Sequence, residues 1–271
     1  MWHDRRVSPA TGRLEVTRVP PFSKANHDTG PALYRRLAPV LHHLLEIEVK
    51  RDWDDFPALP AEGPAIVVSN HLTSFDAVVM VDYILYRGRF AYFLAKAPLF
   101  HVFALGRLLR GIEQIPVYRG TEKAGDALRE ARRKLDDGKV VFIFTEGTTC
   151  RDPLLWPFSA KTGTARLALE TGVPVIPLGQ WGTSAICPDN AGPQKGPHLV
   201  PRHWVHIRSG QPIDLTAFGR DPEDRAAVRA ASAAIIAAIV PLVEQARGET
   251  APPLRWNPKT QCYVPPDQAV W

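Results

Sequence analysis

The sequence predicts an α/β fold: a single layered domain with a central mixed, mostly parallel sheet flanked by helices, plus an N-terminal amphipathic helix. Three observations carry this. Residues 65–69 (AIVVS) and 140–144 (VVFIF) are short β-rich apolar runs, the pattern of strands buried on both faces. Between such runs lie longer segments with helical periodicity, and Gly138 and Gly172 stand where two of them must stop. Strands alternating with helices along one chain give a layered α/β structure.

In chain order, residues 1–29 are polar, Pro-rich and irregular, and read as a loosely held arm. In residues 31–45, Leu33, Leu37, Val40, Leu41, Leu44 and Leu45 recur at helical spacing, with Arg35 and Arg36 on another side and Pro39 a point for a kink. This helix either covers the core or lies at a membrane interface; periodicity does not separate the two. Next come a strand at 65–69, a helix at 75–86, a strand at 91–95, a helix at 98–109 and a strand at 114–118. A charged amphipathic helix at 121–136 precedes the strand 140–144. A helix at 162–171 is followed by a strand at 173–178, whose two prolines suggest an irregular end or an edge position. Residues 205–209 read as a late strand and 224–247 as a long Ala-rich helix, with Pro241 a possible kink. The expected division is an N-terminal arm and helix at 1–45, a main domain at 46–248 and a tail at 249–271.

Net charge is +5 and the pI about 9.2, which suits anionic ligands without selecting among them. The basic residues are dispersed and no nucleic-acid motif occurs, so nucleic acid is not the expected partner. Cys150, Cys187 and Cys262 have neither disulfide-framework nor zinc spacing, and a reducing compartment is the simpler expectation. The first 25 residues lack an apolar h-region, and no stretch reaches about 18 uncharged apolar residues, so neither a signal peptide nor a membrane span is expected.

Chemistry concentrates where strands end. The run Ser69-Asn70-His71-Leu72-Thr73-Ser74-Phe75-Asp76 joins a strand to a helix, the region where α/β sheets collect ligand-binding groups. An imidazole accepts a proton near neutral pH, and a carboxylate on its other nitrogen fixes the tautomer. On a continuous helix His71 and Asp76 are about 140° apart, so their pairing requires His71 in the turn and Asp76 in the first helical turn. The same residues also read as a capping box, Thr73 as N-cap and Asp76 closing it. After the strand 140–144, Thr145-Glu146-Gly147-Thr148-Thr149 can bind a hydroxyl or offer backbone N–H groups to an anion, or can be a plain turn. Lys96, Arg119 and Lys161 flank strands and read as phosphate contacts or as solvated surface charge. Residues 173–178 read as a pocket wall or as core. Cys150 is a further nucleophile candidate, disfavoured because free cysteines are usually inert.

Together these blocks, in this order, resemble the glycerolipid acyltransferase family, whose best-known member is lysophosphatidic acid acyltransferase. Asn70, His71 and Asp76 match its NHxxxxD block. Residues 111–119, ending in Arg119, match the second block. Phe144, Glu146, Gly147 and Thr148 match the FPEGTRS-like block, and residues 173–177 the VPVIP-like block. The likeness covers roughly residues 47–215. Thr145 departs from the usual Pro, and Thr149-Cys150 from the usual Arg-Ser; Arg151 is the nearest replacement for that arginine.

The resemblance implies an acyltransferase domain at 46–248, with His71 as base and Asp76 holding it. An acceptor hydroxyl attacks the thioester of acyl-CoA or acyl-carrier protein, a co-substrate, with no metal or cofactor. Arg119, Glu146, Gly147 and Thr148 are implied to bind the acceptor, with Asn70 and Lys96 beside them. The implied acceptor is a lysophospholipid, first of all 1-acyl-glycerol-3-phosphate. Another lysolipid or a glycosylated polyol, a thioesterase using the same pair, and a non-catalytic lipid-binding protein are the alternatives. The expected location is the cytoplasmic face of the cell membrane, as a peripheral protein.

Overall fold

The computed structural model describes residues 4–7, 14–17, 30–54, 58–119, 125–188 and 202–266. Near the N-terminus, strands β1 (Asp4–Val7) and β2 (Leu14–Thr17) pair antiparallel, where the sequence reading has only an irregular arm. The predicted helix at 31–45 is α1 (Ala32–Glu48), and Pro39 sits inside it without ending it. It leads into β3 (Val49–Trp53), a strand that charged residues hide from pattern reading.

There follow β4 (Ala65–Ser69), α2 (Asp76–Leu85) and β5 (Ala91–Lys96). The helix expected at 98–109 is two pieces: a 3-10 turn, Ala97–His101, and α3 (Phe103–Gly111), broken at the extended Val102. Gly106 explains the fold-back. A Cβ there would stand 2.1 Å from the Phe100 carbonyl oxygen, so only glycine admits that approach. Then come β6 (Ile115–Val117), α4 (Asp126–Asp136), β7 (Val140–Phe144), α5 (Thr162–Thr171), β8 (Val175–Trp181), the short α6 (Thr183–Ile186), β9 (His203–Ser209) and α7 (Arg225–Arg247). A hairpin of β10 (Arg255–Asn257) and β11 (Cys262–Val264) ends the described chain.

Seven strands form one sheet in the order β3-β9-β8-β4-β7-β5-β6. Five run parallel, from β8 to β6; β9 is antiparallel to β8, and β3 is parallel to β9. The mixed, mostly parallel sheet of the sequence prediction is therefore the observed one. The central strands β4 and β7 are apolar on both sides because both faces are covered. Ile66, Val68 and Val141 pack with residues of α4, α5 and α7, while Val67, Val140 and Phe142 pack with residues of α2.

β8 is an interior strand, not an edge. Pro174 falls just before it, and Pro177 within it is tolerated because the Pro177 and Val175 carbonyls accept the N–H groups of Gly210 and Ile213, in a loop rather than a strand. The missing donor of Pro177 therefore falls beside the loop, past the β8–β9 ladder. At Gly179 helix α7 lies directly on β8: an added Cβ would meet the Leu242 carbonyl carbon at 2.3 Å. By length and composition alone α7 is long and apolar enough to cross a membrane. Its Ile235, Ile239 and Val243 are buried in the core, which makes it a core helix of this domain.

α1 is apolar on two sides. Tyr34, Ala38, His42 and Leu45 face inward, and a buried network fixes the helix: Asp82 of α2 binds His42 through one carboxylate oxygen and takes Arg51 Nη2 at 2.7 Å through the other. Leu33, Leu37, Val40, Leu44 and Ile47, spaced by alternating fours and threes, remain exposed. The inward side is the core-covering one of the two sequence readings; the opposite side is apolar and exposed.

Candidate active site

The register of the central strands builds the site. Ser69 of β4 lies opposite Phe144 of β7, so the two strands end level. Two residues on, His71 and Glu146 emerge side by side, and the His71 N–H donates to Glu146 Oε2 at 2.9 Å.

The chain at 71–75 is not helical, and α2 begins at Asp76, which lets the carboxylate turn back toward the strand end. Asp76 Oδ2 meets His71 Nδ1 at 2.9 Å and also accepts the N–H groups of Leu72 and Thr73, while Oδ1 accepts the Thr73 hydroxyl at 3.2 Å. The carboxylate is fully buried and the imidazole side chain 14% exposed. The capping contact to Thr73 N–H and the histidine pair therefore belong to the same carboxylate. The reciprocal half of the box is altered, because Thr73 Oγ1 accepts from Phe75 N instead. Phe144 stacks on the imidazole, centroids 4.0 Å apart and planes 13° off parallel. With Nδ1 on the carboxylate and one ring face on Phe144, Nε2 is the nitrogen left to exchange a proton.

The other predicted residues divide into frame and rim. Asn70 is buried, and its side-chain amide trades hydrogen bonds with the Gln180 backbone, accepting from N at 3.0 Å and donating to O at 3.1 Å. It ties β4 to β8 beneath His71. Glu146 is also fully buried; its second oxygen accepts the Phe158 N–H at 3.3 Å. Burial pushes its carboxyl up to about 8 against the pull of these two donors. In this geometry Asn70 and Glu146 hold the backbone, and neither offers a free polar atom to solvent. Gly147 turns in the left-handed region, φ +66°, and a Cβ there would stand 3.1 Å from Lys161 Cγ. Thr148 is half-buried beside it. Lys96 is exposed at the end of β5, separated from β4 by β7.

Arg119, Arg151 and Lys161 are exposed on the rim. Burial and the Arg151 charge lower the Arg119 guanidinium; burial, then Lys259, Arg119 and Arg151, lower the Lys161 ammonium. Of these cations Lys161 packs against the Gly147 turn. Among the described residues no carboxylate forms an ion pair with Arg119 or Arg151. Cys150 is buried with its thiol on the Trp156 carbonyl at 3.2 Å, and burial raises its pKa well above the ordinary value. A protonated, enclosed thiol is a poor nucleophile.

Sequence reading missed Gln180 and Phe158, which act through backbone groups. The stacking of Phe144 on His71 had a signal: Phe144 ends the strand beside β4.

The family model described as Acyltransferase matches residues 54–181, the stretch from the end of β3 to the end of β8 that holds His71, Asp76 and Glu146. The 1-acyl-sn-glycerol-3-phosphate acyltransferase BAT2, chloroplastic, of Brassica napus is 30% identical over 141 residues, 51% of this chain and 39% of that protein. The chain thus spans about two fifths of that relative's length. The 1-acyl-sn-glycerol-3-phosphate acyltransferase of Salmonella typhimurium is 23% identical over 191 residues, 70% of each chain. In fold, the chain is similar to the crystal structure of the 1-acyl-sn-glycerophosphate (LPA) acyltransferase PlsC from Thermotoga maritima, with a TM-score of 0.56 at 22% identity over 80% of this chain and 82% of that one. An α/β acyltransferase domain is what frame and matches define together. Residues 54–181 are thus similar to the Acyltransferase family, in keeping with the family that the four sequence blocks resemble.

Proposed function

We propose that this protein transfers a fatty acyl group from acyl-CoA or acyl-carrier protein to the free hydroxyl of 1-acyl-glycerol-3-phosphate. The observation that carries the proposal is the Asp76-held, solvent-reachable imidazole of His71 at the end of β4. His71 Nε2 takes the hydroxyl proton as the acceptor oxygen attacks the thioester carbonyl. The tetrahedral adduct collapses, the C–S bond breaks, and the leaving thiolate takes the proton back from the imidazolium. Asp76 stabilises that cation. No acyl-enzyme forms in this scheme, and no metal or cofactor enters it. The rim cations and the names of the relatives support a phosphate-bearing acceptor.

The test is thiol release from acyl-CoA by the purified chain. Release should depend on added 1-acyl-glycerol-3-phosphate, and the product should carry two acyl chains. Release of equal rate without acceptor would make the protein a thioesterase. Transfer to glycosylated polyols in preference to the phosphate ester would change the acceptor and keep the chemistry.

We further propose that the exposed side of α1 rests on the cytoplasmic face of the membrane. An acyl chain of the acceptor lies in the bilayer, and the stripe Leu37, Val40, Leu44 and Ile47 is apolar, exposed and on the same helix as the exposed Arg35 and Arg36. Changing these four residues to glutamine should lower binding to anionic liposomes about tenfold or more, by loss of buried apolar area. The melting temperature should stay within about 2 °C, since exposed positions contribute little to stability. Unchanged liposome binding would remove the proposal; a large fall in melting temperature would make the stripe part of the core.

A further inference from the structure

Beyond the end of β4 His71 has left the strand ladder, so its backbone groups need other partners. Its N–H donates to Glu146, and its carbonyl accepts the Cys150 N–H at 2.5 Å. Glu146 in turn accepts the Phe158 N–H. Both backbone groups of His71 are therefore held by one segment, the loop 146–158 that follows β7. That loop is braced from within. The buried Asp152 accepts the N–H groups of Leu154 and Trp156, and the Cys150 thiol donates to the Trp156 carbonyl.

The C-terminal hairpin is seated on this loop. Trp256 of β10 packs against the cluster of Leu72, Cys150 and Phe158. Each member of that cluster bears on His71: Leu72 follows it in the chain, Cys150 holds its carbonyl, and Phe158 shares Glu146 with its N–H. Tyr263 of β11 lies edge-on to Trp256 and donates its hydroxyl to Asp152 Oδ1 at 2.6 Å. Trp256 and Tyr263 are directly opposite one another in the hairpin, which puts both side chains on one face. The packing contact and the hydrogen bond therefore act as one unit.

We propose that Trp256 and Tyr263 are positioning residues for His71: the hairpin braces the loop that fixes the backbone of His71, and so sets where Nε2 meets the acceptor hydroxyl. The inference rests on the reading of His71 as the base. A misplacement of about 1 Å caused by a change far from the chemistry can cost about 10²-fold in rate. Loss of the brace should therefore slow turnover and leave substrate affinity alone.

Steady-state kinetics and histidine ring-proton NMR of the full chain test it. In Tyr263→Phe, which removes only the hydroxyl, kcat should fall about 5- to 20-fold with KM for acyl-CoA and for 1-acyl-glycerol-3-phosphate within about twofold. Trp256→Ala should lower kcat further with the same split, and Trp256→Phe, which keeps an aromatic ring on the cluster, should restore most of the rate. The His71 ring signals, assigned by their absence in His71→Ala, sense the stacked Phe144 ring and so report movement of the imidazole. They should shift in Tyr263→Phe and shift more in Trp256→Ala, while those of His206, paired with Asp52 in β9, stay in place. An unchanged kcat in both variants would overturn the proposal. So would a rise in KM at constant kcat, which would make the hairpin a substrate contact. A loss of rate with unmoved His71 signals would also overturn it, because the hairpin would then support only the fold. The ring signals require no turnover, so they decide the placement of His71 even where the base reading fails.

Discussion

His71→Ala is expected to cut the rate of acyl transfer at least about 10²-fold, and up to about 10⁴-fold, with the fold intact. The rate falls because no other base stands in the imidazole's place. Asp76 is fully enclosed and committed to backbone donors, and Glu146 accepts from two more. The fold survives because Asp76 keeps its hydrogen bonds to the Leu72 and Thr73 N–H groups after the ring is removed, so no buried charge is stranded. The lost stacking on Phe144 is at a partly exposed position. Acceptor-dependent thiol release and a melting curve on the same preparation check both halves. Turnover within threefold of the parent would mean the imidazole is not the base. A collapsed melting curve would mean its role is structural.

What could be read ahead of the structure follows from how far each interaction reaches along the chain. The strands at 65–69 and 140–144 were legible because burial on both faces demands an unbroken apolar run. β3 was not: Lys50, Arg51 and Asp52 break the pattern, and the strand is made by its pairing with β9, about 150 residues away. The His71–Asp76 pair was legible because five residues of turn suffice to join them. The working positions of Asn70 and Glu146 were not, since their partners are the backbone atoms of Gln180, His71 and Phe158. Such contacts exist only once β4 has taken its register between β7 and β8. Residue type alone cannot tell a carboxylate that binds a substrate hydroxyl from one that binds a backbone N–H. Likewise the tail reads as loose until Trp256 and Tyr263 are seen seated beside Leu72 and Asp152.

Glu146→Ala should therefore act first on stability, and its signature should depend on pH. Removing the carboxyl leaves the N–H groups of His71 and Phe158 without their acceptor, at about 1–3 kcal/mol each if they stay dry. For a chain of this size 1 kcal/mol moves the melting temperature by about 2–4 °C, so a fall of about 5–15 °C is expected near pH 5. The pH dependence runs the other way. Burial raises the Glu146 carboxyl from 4.5 to about 8, so between those values the folded parent holds a proton that the unfolded chain has released. The parent's stability from this group is full below about pH 4.5, falls as pH rises, and is lowest above about pH 8. The alanine variant has no such group. The gap in melting temperature between the two should narrow steadily from pH 5 to pH 8. Activity should fall with stability, because the His71 N–H is what Glu146 holds and a displaced backbone moves the imidazole off its line of attack. Melting curves at four pH values, with rates measured well below the lower melting point, decide it. A gap that is constant with pH would mean that Glu146 is ionised throughout in the fold. A variant as stable and as active as its parent would mean that the strand ends hold His71 without it.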